Sequence, residues 1–216
     1  GPSLAIALPT FVIGLGLTVS LALFLVLFRG TWLDRTGVVL CVGLMSISSL
    51  FFIIGGQFLF ARVLQLVPIS GYASNPLVAW HFLILPVAVA VISGVGGSTR
   101  WYRTLFLEEI SRDYVRTARA KGLSDAAVLF RHVLRNGLIP ILTGVVVVIP
   151  SLFMGSLLIE SFFGIPGLGS YTIDAIAAQD FAVVRAMVFL GSVLYLLGLI
   201  LTDLSYTLVD PRIRLK

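Results

Sequence analysis

The chain has 216 residues, of which 58% are hydrophobic and only 12% are charged, and its mean hydropathy is +1.07. Soluble globular chains are about one quarter charged, so this composition excludes an ordinary water-soluble domain and indicates that lipid covers much of the surface. The net charge of +5 therefore bears on orientation in a membrane rather than on nucleic acid, and the single cysteine, Cys41, excludes an internal disulfide or a multi-cysteine metal site.

Five segments lack Asp, Glu, Lys and Arg and approach the about 20 apolar residues that cross a bilayer. They lie within residues 1–28, 36–61, 78–97, 138–159 and 186–202. A backbone in lipid must satisfy its hydrogen bonds within its own segment, so we predict that all five are helices. The expected fold class is an all-α polytopic membrane protein, with one transmembrane domain over residues 1–216.

Positive residues concentrate in three of the connections between these spans. They lie between the third and fourth spans (Arg100, Arg103, Arg112, Arg116, Arg119, Lys121, Arg131, Arg135), after the fifth (Arg212, Arg214, Lys216) and between the first two (Arg29, Arg35). Basic loops stay in the cytoplasm, so we predict a cytoplasmic C-terminus and an N-terminus on the other side. A further helix before residue 1 would reconcile that arrangement with the usual inside N-terminus.

The segment 98–137 is polar enough to leave the lipid and reads as two helices around a turn, over about 105–121 and 125–136. Acids come early and basic residues late in the first helix, an order that complements the helix dipole. Gly122 is placed to end that helix as a left-handed cap. Ser124 is placed to cap the second helix, with Asp125 in its first turn.

One apolar face is predicted on the second helix, because Val128, Leu129, His132 and Val133 recur at helical spacing. The ordered caps favour a docking element for a cytoplasmic protein over a solvated loop. A DNA-binding helix–turn–helix is disfavoured, because the segment is tethered to the bilayer at both ends and carries balancing acids.

The run EEISRDYVRTARAKGLSDAAVLFRHVLRNGLIPI, residues 108–141, resembles the cytoplasmic signature loop of ABC importer permeases. Gly122 and Ala118 match the general pattern, whereas Arg116 and Thr117 depart from it and resemble the dipeptide/oligopeptide/nickel subgroup. Three more stretches resemble that subgroup in the correct order: LVPISGY at 66–72, ESFFGIPGLG at 160–169 and DPRIR at 210–214.

The resemblance implies a permease in the bacterial inner membrane that works with a second similar permease, two ATP-binding subunits and an external solute-binding protein. No G-x-x-x-x-G-K-[ST] run occurs, so we expect no enzyme activity and no cofactor in this chain, with ATP and Mg on the partner subunits. We name residues 98–137 the coupling segment. The resemblance implies that it contacts an ATP-binding subunit through Arg116, Thr117, Ala118, Arg119, Gly122, Leu123, Ser124, Asp125, Leu129, His132 and Arg135.

We name residues 159–186 the external segment. Pro166 and three glycines predict an interrupted helix there. We expect a gate or a binding-protein contact formed by Phe162, Phe163, Ile165, Pro166, Gly167 and Leu168.

Polar residues elsewhere are few. Gln57 is expected to line the pathway or to bond to a neighbouring helix. Glu160 and Asp203 lie at span ends and are expected at the interface, as is His81, and no metal cluster is apparent.

The sequence leaves open two alternatives to a peptide permease, which are a permease of the same type for another cargo and an ion-driven secondary transporter. The other cargo would be nickel, glutathione or another small solute. An ion-driven secondary transporter would need mid-span acids and often an internal repeat, and neither is found. A membrane enzyme would need a convergent nucleophile, base and orienting group, which the polar residues do not supply.

Overall fold

The computed structural model describes residues 1–73 and 76–209, and in that part of the chain it contains helices and no strands. The α-helices in order are α1 (Pro2–Leu27), α2 (Trp32–Ser46), α3 (Ser49–Gly56), α4 (Pro76–Ile110), α5 (Asp113–Ala120), α6 (Asp125–Val128), α7 (Leu134–Ser151), α8 (Leu157–Phe163), α9 (Leu168–Ala177) and α10 (Phe181–Val209). Two π-helical turns, Gln57–Val63 and Leu129–Val133, follow α3 and α6, and a 3-10 turn, Leu152–Met154, follows α7. The predicted all-α fold class is confirmed.

Within the described residues, four helical stretches are long and apolar enough to cross a membrane, and a bent pair makes a fifth if it is counted as one span. The bent pair is Trp32–Ser46 with Ser49–Val63, at an angle of 88°. The prediction of one helix over 36–61 is therefore wrong at its centre. Serines surround the break: the Ser46 hydroxyl donates to the Val42 carbonyl at 2.9 Å, and Ile47 and Ser48 are extended. Such side-chain bonds compete with helical backbone bonds.

The flanking helices extend into the coupling segment, so its helices differ from those predicted. Helix α4 runs to Ile110, where the Ser111 hydroxyl donates to the Glu108 carbonyl at 2.6 Å, so the predicted helix over 105–121 is two elements. The predicted second helix over 125–136 continues through the π turn into α7, which gives one helical stretch from Asp125 to Met154. The helix continues through Asn136 and Gly137, although that pair often marks a turn.

The fourth span ends earlier than the predicted 138–159. Helix α7 and its 3-10 turn stop at Met154, where Gly155 takes a φ of +70°. That left-handed conformation suits glycine, which has no Cβ to clash. Residues 157–163 therefore form a separate helix, α8.

The chain divides into two compact units. Unit 1 contains residues 1–12, 48–91 and 143–216, and unit 2 contains residues 13–47 and 92–142. The core of unit 1 includes Ile6, Ile53, Leu85, Phe163 and Ile165, which come from separate parts of the chain.

The interior of unit 2 depends on close helix contacts at glycines. A Cβ on Gly137 would lie 2.7 Å from the Phe106 ring, which is fully buried. A Cβ on Gly96 would lie 2.5 Å from the Cys41 carbonyl oxygen. Small residues allow helices to approach this closely, as in other membrane helix bundles.

Candidate coupling and external sites

The turn between α5 and α6 has the local geometry that the sequence predicts. Gly122 has a φ of +82°, and the Ser124 hydroxyl accepts a bond from the Ala127 amide at 3.3 Å. The guanidinium Nε of Arg119 lies 3.0 Å from Oδ1 of Asp125, so an ion pair joins the two sides of the turn. Both predicted caps are confirmed.

The predicted apolar contact face is turned into unit 2 rather than outward. Val128 and Val133 have no exposed surface, and Leu129 is 1% exposed. Ala118 is also buried, at 6%, and His132 is half-buried. The side chains of Ala118 and Leu129 are therefore turned away from the surface of this chain, and their contact with a partner stays a prediction. The apolar face of a surface helix normally packs against the core of its own domain.

The outward face of the coupling segment consists of other residues. Those predicted for docking that are at least partly exposed here are Arg116, Thr117, Arg119, Gly122, Leu123, Ser124, Asp125, His132 and Arg135. Phe130 is 55% exposed and was missed by the sequence reasoning. Its signal was present, because at 100° per residue it lies opposite the Val128–Val133 face. We name the exposed residues of the coupling segment the coupling surface. Leu123 and Phe130 are its apolar pair.

Two polar contacts hold the coupling segment in place, one within it and one that joins it to α2. The Tyr114 hydroxyl donates to Oε1 of Glu109 at 2.6 Å, which ties α5 to the end of α4. Burial and this bond raise the pKa of Tyr114. Arg103 of α4 donates two bonds to the carboxylate of Asp34 in α2, at 2.9 and 2.8 Å. The same carboxylate accepts from the Gly30 amide at 3.2 Å.

The external segment is an interrupted helix, as predicted. Helix α8 ends at Gly164, whose φ is +62°, and α9 begins after Gly167 and buries Gly169. Phe163 and Ile165 are buried at 1% and 0%, and their contact with a partner stays a prediction. Phe162 and Pro166 are exposed, and Gly167 and Leu168 are half-buried.

The side chain of Glu160 is fully buried within this chain, and its expected position at the membrane interface stays a prediction. Its Oε1 accepts from the Ser156 amide at 3.2 Å, and its Oε2 accepts from the amides of Gly169 and Ser170 at 2.7 and 3.3 Å. The last two donors belong to the first turn of α9, where the helix dipole favours a negative group.

Gln57 bonds to neighbouring segments of unit 1, which is the second of its two predicted roles. Its Nε2 donates to the carbonyls of Ile69 and Phe162 at 3.1 and 2.9 Å. Close by, the Gly71 amide donates to the Phe163 carbonyl at 2.8 Å. These bonds join the LVPISGY stretch, residues 66–72, to the external segment. The pathway role of Gln57 stays a prediction.

A cavity of about 300 Å³ in unit 1 has hydroxyl groups in its wall, from Ser3, Thr10, Ser151 and Ser156. The Thr10 hydroxyl is buried and makes no hydrogen bond among the described residues. The sequence reasoning missed this residue, because one threonine in an apolar span is an ordinary feature.

Residues 1–73 and 76–209 contain no group of His, Cys, Asp or Glu that could hold a metal ion. The DPRIR stretch, with Arg212 and Arg214, and Lys216 lie outside the described residues.

Comparisons with known proteins agree over most of the chain. The family described as "Binding-protein-dependent transport system inner membrane component" matches residues 3–215. The oligopeptide transport system permease protein AppB of Bacillus subtilis (strain 168) is 42% identical over 133 residues, which is 62% of this chain and 42% of AppB.

Two further relatives cover more of the chain. The dipeptide transport system permease protein DppB of Lactococcus lactis subsp. cremoris (strain MG1363) is 37% identical over 176 residues, covering 81% of this chain and 56% of DppB. A Brucella abortus (strain 2308) protein named for a peptide transport system permease is 34% identical over 216 residues, covering 98% of this chain and 68% of the relative. The chain thus spans 42% to 68% of the length of these three relatives.

Proposed function

The chain belongs to the family of binding-protein-dependent transport system inner membrane components, and on that premise we propose that it is a permease subunit of an ATP-driven importer of peptides. The observation that carries the proposal is the coupling segment, a short charged helix–turn element fixed to its unit by Tyr114 and Arg103 and exposing an apolar pair. The three relatives described above are named as permeases of oligopeptide, dipeptide and peptide systems. Relatives of that kind are transport subunits rather than enzymes.

In this proposal the coupling surface docks on an ATP-binding subunit. Leu123 is 37% exposed and Phe130 is 55% exposed, so burial of both against a partner removes apolar surface from water. Arg116 and Arg135 are also exposed in the coupling segment and suit acids on the partner. ATP and Mg would bind to that partner, and closure of two such subunits would push the coupling segment as a rigid body.

The multi-pass chain needs further partners in the same proposal. Helix α10 exposes Phe181, Val188, Phe189 and Tyr195 at 58% to 70%. Lipid and a second, homologous permease would cover this helix and complete the pathway. A solute-binding protein outside the cell would deliver the peptide to the external segment, where Phe162 and Pro166 are exposed.

The proposed orientation places the coupling segment and the C-terminus in the cytoplasm of a bacterial cell, because the coupling segment carries the largest group of basic residues. Labelling of single cysteines introduced at Lys121 and at Asp174, with a reagent that does not cross membranes, tests it. Both residues are exposed. In intact spheroplasts only the Asp174→Cys variant should react, and the opposite pattern would invert the topology.

The central experiment compares Phe130→Ser with Phe51→Ser in the chain expressed in native membranes with its neighbouring subunits. Phe51 is 74% exposed and lies in unit 1, so it is a matched control for loss of an exposed phenylalanine. Co-purification should yield a second permease and two ATP-binding subunits. Phe130→Ser should lose the ATP-binding subunits at least tenfold and lose peptide uptake with them, whereas Phe51→Ser should retain both.

Either of two results would count against this function. Purification of the chain alone from mild detergent would favour the ion-driven transporter. Intact complexes and uptake in Phe130→Ser would remove the docking role of the coupling surface. Uptake of nickel or glutathione in place of peptides would leave the importer in place and change its cargo.

A further inference from the structure

The carboxylate of Glu160 joins two parts of unit 1, the start of α8 and the first turn of α9. Ser156, at the start of α8, donates to one oxygen, and Gly169 and Ser170, in the first turn of α9, donate to the other. All three donors are backbone amides, so their positions depend on the path of the chain. Glu160 itself lies between them, in α8.

Three glycines make room for this carboxylate. A Cβ on Gly155 or Gly167 would overlap the carboxylate oxygens, and a Cβ on Gly169 would lie 2.6 Å from the Ser156 carbonyl oxygen. Backbone can approach an anion this closely only where side chains are absent. The glycines are therefore placed around Glu160, rather than simply loosening a loop.

Neighbouring bonds extend the same assembly. The Ser3 hydroxyl of α1 accepts from the Leu168 amide at 2.9 Å, and the Ser170 hydroxyl donates to the Ile165 carbonyl at 2.8 Å. Ile165 is fully buried in the core of unit 1. Helices α8 and α9, the turn between them and the start of α1 thus share one connected network.

We propose that Glu160 is the positioning residue of the external segment, and that its buried carboxylate makes α8, the turn at 164–167 and the start of α9 move as one rigid body that carries Phe162 and Pro166. The part of this inference that concerns transport rests on the proposed function. Glu160→Gln keeps one acceptor oxygen but places an NH2 group where the other oxygen was, so at least one of the amides at 156, 169 and 170 loses its acceptor, and the segment opens to find water. Phe162 and Pro166 are then still present, but the external segment spends less time in the ordered arrangement seen here.

The first test measures opening directly and does not depend on transport. Ile165→Cys is introduced beside the native Cys41, which is buried in unit 2, and labelling of each thiol by a maleimide is followed by mass spectrometry in the purified protein. Glu160→Gln should raise the labelling rate at position 165 at least tenfold and leave Cys41 unchanged. Asp174→Asn, which removes an exposed acid from α9, should change neither.

Two results would overturn the rigid-body assignment. Labelling at position 165 that stays slow in Glu160→Gln would show that the carboxylate does not hold the segment. Equal acceleration at Cys41 would show general unfolding instead of local opening.

The second test asks what positioning does in the importer, in vesicles that contain the whole complex. Glu160→Gln should lower the maximal uptake rate at least fivefold, and should leave the half-saturating concentration of loaded solute-binding protein within twofold. A raised half-saturating concentration with an unchanged maximal rate would assign Glu160 to docking and overturn the positioning of a gate. If the unsubstituted complex transports nothing, the proposed function fails while the labelling result still stands.

Discussion

Two acidic side chains are buried in the described part of the chain, one in each unit, and they are held in different ways. Asp34 in unit 2 faces the guanidinium of Arg103, a cation of opposite charge, in a two-bond contact. Glu160 in unit 1 faces backbone amides and a ring of glycines, with no cation among its hydrogen-bond donors. An ion pair depends on two side chains that can adjust, whereas an amide cradle depends on the path of the backbone. We therefore expect substitutions around Glu160 in unit 1 to destabilise the protein more than substitutions around Asp34 in unit 2.

The largest expected effect is that of Gly169→Ala in the cradle. The new methyl group would lie 2.6 Å from the Ser156 carbonyl oxygen and 2.9 Å from Oε2 of Glu160, so backbone and carboxylate must both shift. Overpacking of this kind costs about 3 kcal/mol of the free energy of unfolding. Thermal unfolding in detergent should show a clearly lower midpoint. Gly94→Ala is the matched control, because a Cβ there meets no atom within 4 Å. Equal midpoints for both variants would contradict the cradle.

The Asp34–Arg103 pair should give a smaller, coupled effect in a double-mutant cycle of Asp34→Asn and Arg103→Gln. Each single change leaves a buried or half-buried polar group without its partner, and the double change removes both charges. We expect a coupling energy of about 2 kcal/mol, below the full value for buried pairs because Arg103 keeps 21% of its side-chain surface exposed. Additive single effects would show that the pair does not act as a unit.

Ser124→Ala should cost less again, about 1 kcal/mol, because it removes the hydroxyl that caps α6. This cap also accepts from a backbone amide, as Glu160 does, but it is exposed and water can replace it. Hydrogen exchange of the Ala127 amide should accelerate, while exchange in α8 stays constant. Ser124→Asp, which restores an acceptor, should return the exchange rate to that of the unsubstituted chain.

The smallest expected effect is that of Asp125→Asn, which breaks the ion pair with Arg119. The Asp125 side chain is 73% exposed, so water and salt screen the pair. We expect a change of about 0.5 kcal/mol or less in the free energy of unfolding, and a smaller one at high salt. If Asp125→Asn lowered the free energy of unfolding as much as Asp34→Asn, solvent exposure would not explain the difference between the two ion pairs.

Local features of the coupling segment could be predicted because they follow from neighbouring residues. Gly122 and Ser124 act over one turn of chain, and the structure confirms both. The same holds for the interrupted helix at 162–169, since Pro166 and the glycines prevent a regular helix wherever they lie. The predicted helix start at 105 and the predicted span limit at 159 differ from the structure, in which α4 continues to Ile110 and the fourth span stops at Met154, before Gly155.

The sequence by itself determined that the chain is all-helical, with apolar stretches of membrane-spanning length, a charged turn element and a family signature. Each of these depends on composition, periodicity or short motifs. Only the tertiary structure decided that Leu129 and Ala118 face inward while Phe130 faces outward, and that Glu160 is enclosed instead of exposed. Those outcomes depend on contacts between residues far apart in the chain, such as Ser3 with Leu168 and Gln57 with Phe162. The residue pattern within one segment does not encode such contacts.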